Sequence, residues 1–246
     1  MLRICVRPWG VRAVVCLLVG LLLSCWQRPA RAETVASTRL LETAQEPGVV
    51  VYPARASGVR PVVVLLHGMC GEPERTCAHF AELVTRDAHL ICPRARQRCA
   101  GGAGSTWSKG AGRDVEAAVQ RGLTTLPASR VNGERRTLIG YSLGAFVALE
   151  IAEAAHGVYP EVMLIGARIF PNARLLQQNG VERLLLAAGD WDMTSAHMQQ
   201  QSKRLARAGV EARFLGLGPV GHAFTPTLPS YVSVALSWLR GERNLS

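Results

Sequence analysis

One run, Pro61-Val-Val-Val-Leu-Leu-His67, does most to limit the folds open to this chain. It is apolar and rich in β-branched residues, with no polar residue alternating along it. A strand of that kind has no face suited to water, so both faces must be covered, as in a parallel sheet. Runs of similar character recur at His89–Cys92, Arg136–Gly140, Val162–Gly166, Arg183–Ala188 and Val210–Leu215, and Val49–Tyr52 adds a weaker one. Helical patterns lie between them at Cys77–Arg86, Arg113–Leu123, Leu143–Ala155, Ser195–Ala208 and Ser230–Leu239. Strands alternating with helices predict an α/β fold: a mostly parallel, doubly wound sheet with helices on both faces. Glu33–Pro47 reads as an irregular arm. Only Phe170–Gly180 could form even a small lid, so no large lid is expected.

The N-terminus reads differently. Arg3, Arg7 and Arg12 precede an apolar stretch from Ala13 to Leu23, and Ala30-Arg31-Ala32 offers a cleavage site. This is the three-part pattern of a secretory signal peptide over residues 1–32, followed by one domain over 33–246. Secreted or periplasmic export is expected, with no membrane span after cleavage. The apolar stretch is shorter than the roughly 20 residues of a spanning helix. Leu22-Leu23-Ser24-Cys25 resembles a lipoprotein box, so a lipid anchor at Cys25 stands as the alternative. The chain carries a formal charge of +10, but residues 1–32 hold five arginines and no acid. The remaining 23 basic and 18 acidic residues leave +5. Arg94, Arg96 and Arg98 cluster without interleaved aromatics, which reads as a solvated loop and not a nucleic-acid surface.

Export makes disulfides expected. The mature part keeps Cys70, Cys77, Cys92 and Cys99, which allow three pairings. Cys70–Cys77 with Cys92–Cys99 is favoured, because each bond closes a short loop. A metal site is disfavoured, since neither pair has CxxC spacing.

Chemistry enters at Gly140-Tyr141-Ser142-Leu143-Gly144, set between a predicted strand and a predicted helix. A serine there occupies a tight turn that lifts its hydroxyl above the sheet edge. A serine hydroxyl attacks poorly without a base held by a third group. In this architecture the chain order is serine, acid, histidine. His156 falls at the end of the helix that Ser142 begins, and His197 lies too near the acid. His222, in the turn-rich Gly218-Pro219-Val220-Gly221-His222-Ala223-Phe224, is the base expected to reach Ser142. Asp192, after the strand Arg183–Ala188, is the preferred acid, with Asp190 the alternative. The oxyanion donors expected are the backbone N–H groups of Leu143 and of Met69, in His67-Gly68-Met69-Cys70-Gly71. His67 is then a structural residue. Trp107, Phe170, Trp191 and Phe224 are candidates to line an acyl or alcohol pocket.

Taken together, His67-Gly68, Gly140–Gly144, Gly189–Asp192 and Gly221-His222 resemble the α/β-hydrolase superfamily over nearly all of residues 33–246. Asp190-Trp191-Asp192-Met193-Thr194 and Gly221-His222-Ala223-Phe224 are similar to the compact dienelactone-hydrolase and carboxylesterase branches. Cys92-Pro93 through Cys99 to Ser105-Thr106-Trp107 resembles phospholipase/carboxylesterase and secreted polyester or feruloyl esterase groups. A dienelactone hydrolase would carry a cysteine where Ser142 stands, and a haloalkane dehalogenase an aspartate, so ordinary esters are favoured. The resemblance implies an exported serine hydrolase acting on a small-molecule or polymeric ester, with no metal or organic cofactor. A peptidase or thioesterase with the same triad, and a non-catalytic binding protein of the same fold, are the alternatives. Nothing in the sequence sets the oligomeric state.

Overall fold

The computed structural model describes residues 37–40, 46, 48–102, 104–225 and 227–242. The expected signal peptide and most of the expected arm lie outside the described residues. The described residues form one eight-stranded sheet in the order β1-β2-β4-β3-β7-β8-β9-β10 and a two-stranded ribbon, β5-β6. The strands are β1 (Thr38–Leu40), β2 (Val49–Tyr52), β3 (Arg60–Leu66), β4 (His89–Pro93), β5 (Gln97–Arg98), β6 (Ser105–Thr106), β7 (Val131–Tyr141), β8 (Glu161–Ile165), β9 (Arg183–Ala188) and β10 (Ala212–Gly216). Only β1–β2 and β2–β4 pair antiparallel within the large sheet; from β4 to β10 every neighbour is parallel.

The apolar run falls in β3, the fourth strand of the sheet counted from β1 and the second of its parallel part, and Val62 to Leu66 are all buried. Successive strand side chains point to opposite faces. Val62, Val64 and Leu66 accordingly join one core layer, and Val63 and Leu65 the other. Helices α2 (Gly112–Thr124), α3 (Leu143–Ala152), α4 (Ala173–Gln178) and α5 (Ser195–Arg207) contribute to the first layer. Helices α1 (Pro73–Val84) and α6 (Leu228–Leu239) contribute to the second. Parallel strands need crossovers, and the helices supply them on both faces. The doubly wound α/β sheet read from the alternation is therefore the architecture observed. Among the described residues no helix is long and apolar enough to cross a membrane.

Three expectations are corrected. Part of the expected arm is ordered as β1, paired with β2 through Thr38–Val51 and Leu40–Val49. Phe170–Gly180 is not a lid. It is the β8–β9 crossover, and its helix α4 is held down by the buried Leu176 and capped by Asn172, whose side chain accepts from the N–H groups of Arg174 and Leu175. The disulfides join Cys70 to Cys99 and Cys77 to Cys92, not the short-loop pairs. Packing of a helix on the sheet decides this. Cys77 lies on the buried face of α1 with Phe80, Ala81 and Val84, directed at β4, where Cys92 sits. Cys70 belongs to the loop before that helix, where the β5–β6 ribbon brings Cys99 within 5.6 Å between Cα atoms. Burying the helix face thus separates Cys70 from Cys77.

Candidate active site

The turn between β7 and α3 carries Ser142 at φ 53 and ψ −118. A non-glycine residue with positive φ is strained and persists only where its surroundings hold it. The Ser142 N–H donates to the Ile165 carbonyl of β8 at 2.8 Å, which pins the turn to the next strand. Flanking glycines are needed for space. A Cβ on Gly144 would come within 2.5 Å of the Leu66 and His67 carbonyl oxygens, and one on Gly140 would strike the backbone of α3.

His222 reaches this turn from the loop after β10. Its Nε2 lies 2.9 Å from Ser142 Oγ, and its Nδ1 lies 2.7 Å from Asp192 Oδ2. A carboxylate can only accept, so Nδ1–H donates to Asp192 and Nε2 is left to accept from the Ser142 hydroxyl. The imidazole is 45% exposed while the Asp192 carboxyl is 5% exposed. Asp192 Oδ1 accepts from the Thr194 N–H at 2.8 Å and the Thr194 hydroxyl at 2.9 Å. Burial alone would raise the Asp192 pKa. The bonds from Thr194 and His222 outweigh it and hold the carboxyl below its usual range. Asp190 is exposed, and its N–H donates to the Gly218 carbonyl. Ser142, His222 and Asp192 therefore come together, and Asp190 does not join them.

The loop after β3 is held from several sides. His67 is buried, with Nδ1 2.8 Å from the Gly68 carbonyl and Nε2 accepting from the Ala95 N–H at 3.2 Å. Burial lowers its pKa to about 4, against the weaker opposing effect of the Gly68 bond, so the ring is neutral at pH 7. Trp107 Nε1 donates to the His67 carbonyl at 2.7 Å, and the two rings lie 4.8 Å apart. Trp107 is thus buried and packed beneath the loop. Ser105 N–H donates to the Gly71 carbonyl, and the Cys70–Cys99 bond ties the tip. Gly68 closely approaches Ser142: a Cβ there would lie 3.2 Å from the serine Cβ. The adjacent Met69 N–H and the Leu143 N–H have no acceptor among the described residues. Leu143 opens a helix, where the first N–H groups lack intrahelical partners.

Three contributors escaped the sequence reading. Tyr141 donates through its hydroxyl to the His222 carbonyl at 3.1 Å, stacks on the imidazole at 5.2 Å and packs against Phe224 at 4.3 Å. Thr194 anchors Asp192. Gly166 leaves room for the pair, since a Cβ there would lie 3.0 Å from His222 Cε1 and 3.2 Å from Asp192 Oδ2. A glycine at the end of a parallel strand was the one signal available for it. Phe224 packs on Phe80, His79 and Tyr141, whereas Phe170 and Trp191 are exposed. Among the described residues no three His, Cys, Asp or Glu side chains gather as a metal site.

A family model described as the alpha/beta hydrolase family matches residues 63–242. A comparison with curated protein sequences gives no match. Solved structures of similar fold include esterase PE8, at 18% identity and TM-score 0.61 over 79% of this chain and 99% of that one. They also include a Bacillus cereus carboxylesterase, at 19% and 0.58 over 81% and 96%. A third is Zea mays acyl-protein thioesterase 2, at 22% and 0.55 over 78% and 98%.

Proposed function

This chain belongs to the alpha/beta hydrolase family, and from that premise we propose that it is a serine hydrolase cleaving carboxylic esters. One observation carries the reading: the unbroken hydrogen-bond chain from Ser142 through His222 to Asp192. His222 Nε2 takes the hydroxyl proton as Ser142 Oγ attacks the ester carbonyl carbon. Asp192 stabilises the imidazolium that forms. The Met69 and Leu143 N–H groups receive the oxyanion, each such donor typically contributing about 3–4 kcal/mol. His222 then returns the proton to the leaving alcohol. A water, deprotonated by the same ring, hydrolyses the acyl-enzyme and frees the carboxylic acid. Esterase and thioesterase structures among the fold neighbours are consistent with this acyl-transfer chemistry. Ser142→Ala is expected to abolish fluorophosphonate labelling and to lower p-nitrophenyl acetate turnover by about 10⁴–10⁶. Labelling that persists at another residue would overturn the assignment.

We also propose export. Its support is the leader pattern of residues 1–32 and the two disulfides, a kind of bond that persists in oxidising compartments. Mass spectrometry of the N-terminus tests it: Glu33 first means soluble export, a modified Cys25 means a lipid anchor.

A further inference from the structure

The segment that leaves β8 is clamped in place beside the candidate triad. Burial alternates along it: Ala167, Ile169 and Pro171 are buried, while Arg168, Phe170 and Asn172 are exposed. Helix α5 holds the buried positions one by one. The Ala167 N–H donates to Met198 Sδ at 3.4 Å, His197 Nε2 donates to the Ile169 carbonyl at 2.6 Å, and the Arg204 guanidinium donates to the Pro171 carbonyl. Ala167 and Ile169 also join the first core layer. With these three positions held inward, Arg168 and Phe170 are left on the solvent side, and the Phe170 ring is set edge-on against His197 at 4.8 Å.

The segment begins where the site is. Gly166 follows β8, and a Cβ there would lie 3.0 Å from His222 Cε1. Two residues of chain span at most about 7 Å, so the Arg168 backbone lies no farther than that from Gly166. Among the described residues the Arg168 guanidinium has no hydrogen-bond or ion-pair partner. The acids near this edge are directed elsewhere. Asp190 follows β9, but its Oδ1 lies toward β10, 3.0 Å from where a Cβ on Gly216 would stand. Asp192 is engaged by His222 and Thr194, and Glu72 belongs to the loop after β3, two strands from β8. Other cations, Arg96 and Arg98, follow β4, which lies three strand spacings from β8, about 14 Å. A guanidinium carried on a fixed backbone beside a nucleophile, with no acid of this chain on it, suits an anion brought by the substrate.

Resting on the esterase reading, we propose that Arg168 is a specificity-determining residue and that the preferred ester bears a carboxylate, which this guanidinium binds while Phe170 lies against the apolar part of the molecule. One arginine presents the planar fork that one carboxylate fills. Because the backbone on both sides of Arg168 is already held by α5, binding has only the side chain left to order.

The test measures kcat/KM of the full-length protein on two matched pairs of esters. In 4-nitrophenyl monoadipate against 4-nitrophenyl hexanoate the carboxylate is on the acyl side; in 3-butyryloxybenzoate against phenyl butyrate it is on the alcohol side. Arg168→Gln is expected to lower the charged-to-neutral ratio about tenfold in one pair, through a higher KM for the charged ester, and the pair that responds shows which side Arg168 reads. Tenfold is the scale of one charge-assisted hydrogen bond. A ratio within one protein does not depend on how much of it folds. Arg168→Lys, which keeps the charge without the fork, is expected to fall between the two. Arg98→Gln, at the same edge but on the loop after β4, is expected to move the ratio little. Ratios unchanged by Arg168→Gln in both pairs overturn the proposal. An equal fall in Arg98→Gln also overturns it, since that would mark the general field of a basic edge and not a contact. Hexanoate turnover with an unmoved ratio thus defeats this inference alone, whereas no turnover of any of the four esters by the unmodified protein defeats the esterase reading and this inference with it.

Discussion

Asp192 turns its carboxyl inward while Asp190, two positions earlier on the same turn, stays exposed. The sequence left both open because each follows the strand at a usable distance. Their surroundings separate them: only Asp192 is bonded to His222 and braced by Thr194. Asp192→Asn is expected to lower kcat about 10⁴-fold through loss of the imidazole's tautomer and orientation, while Asp190→Asn leaves turnover nearly unchanged. Steady-state kinetics on p-nitrophenyl acetate checks the pair. Tyr141 offers a finer probe. Tyr141→Phe keeps the ring stacked on His222 but removes the bond to its carbonyl. One lost hydrogen bond predicts a fall in kcat of about three- to tenfold, with KM and Tm little moved. That Ser142, Asp192 and His222 converge was legible, because chain order and position after successive strands leave few choices. Tyr141, Thr194 and Gly166 were not legible, because each contributes through what it touches across loops distant in sequence.

Between elements, the two disulfides hold different things. Cys77–Cys92 fastens a helix to the sheet and is buried at both ends. Cys70–Cys99 fastens the loop bearing the Met69 N–H to the β5–β6 ribbon. Loop entropy gives the 15-residue closure about 3 kcal/mol and the 29-residue closure about 3.6 kcal/mol, too close to tell them apart by stability. Catalysis should separate them. Cys70→Ser with Cys99→Ser is expected to lower kcat by about tenfold or more as the proposed oxyanion donor loses its register, a fraction of what deleting such a donor costs. Cys77→Ala with Cys92→Ala lowers Tm and leaves kcat nearly intact. Thermal melts and kinetics on both variants check this. The alternation of strands and helices was legible because apolar period reports burial directly. The pairing was not: loop length along the chain says nothing of which helix face is buried, and that face carries Cys77. The short strand β1 was missed for a related reason, since its three residues gain their identity only by pairing with β2.

Across the molecule, two buried groups tie stability to pH in the same direction. His67 is neutral in the fold with a pKa of about 4, whereas the unfolded chain protonates it near 6.5. Between those values the unfolded state binds more protons, so acidification favours unfolding. The full shift corresponds to about 3 kcal/mol, lost as pH falls from about 6.5 to about 4. Asp192 extends the trend. Its folded pKa is depressed, so its contribution is present above the ordinary carboxylate range and is lost as pH falls through the lower folded value. Rising net positive charge on a basic chain adds self-repulsion at the same end of the scale. Tm is therefore expected to drop steadily below pH 6.5. The share owed to His67 can be read from slope and not from absolute stability. His67→Asn lacks the titrating ring, so even if it melts lower throughout, its Tm should vary less with pH between 6.5 and 4. Parallel curves for the two proteins across that window would show that the imidazole beneath the candidate oxyanion loop is not the group that makes the fold acid-sensitive.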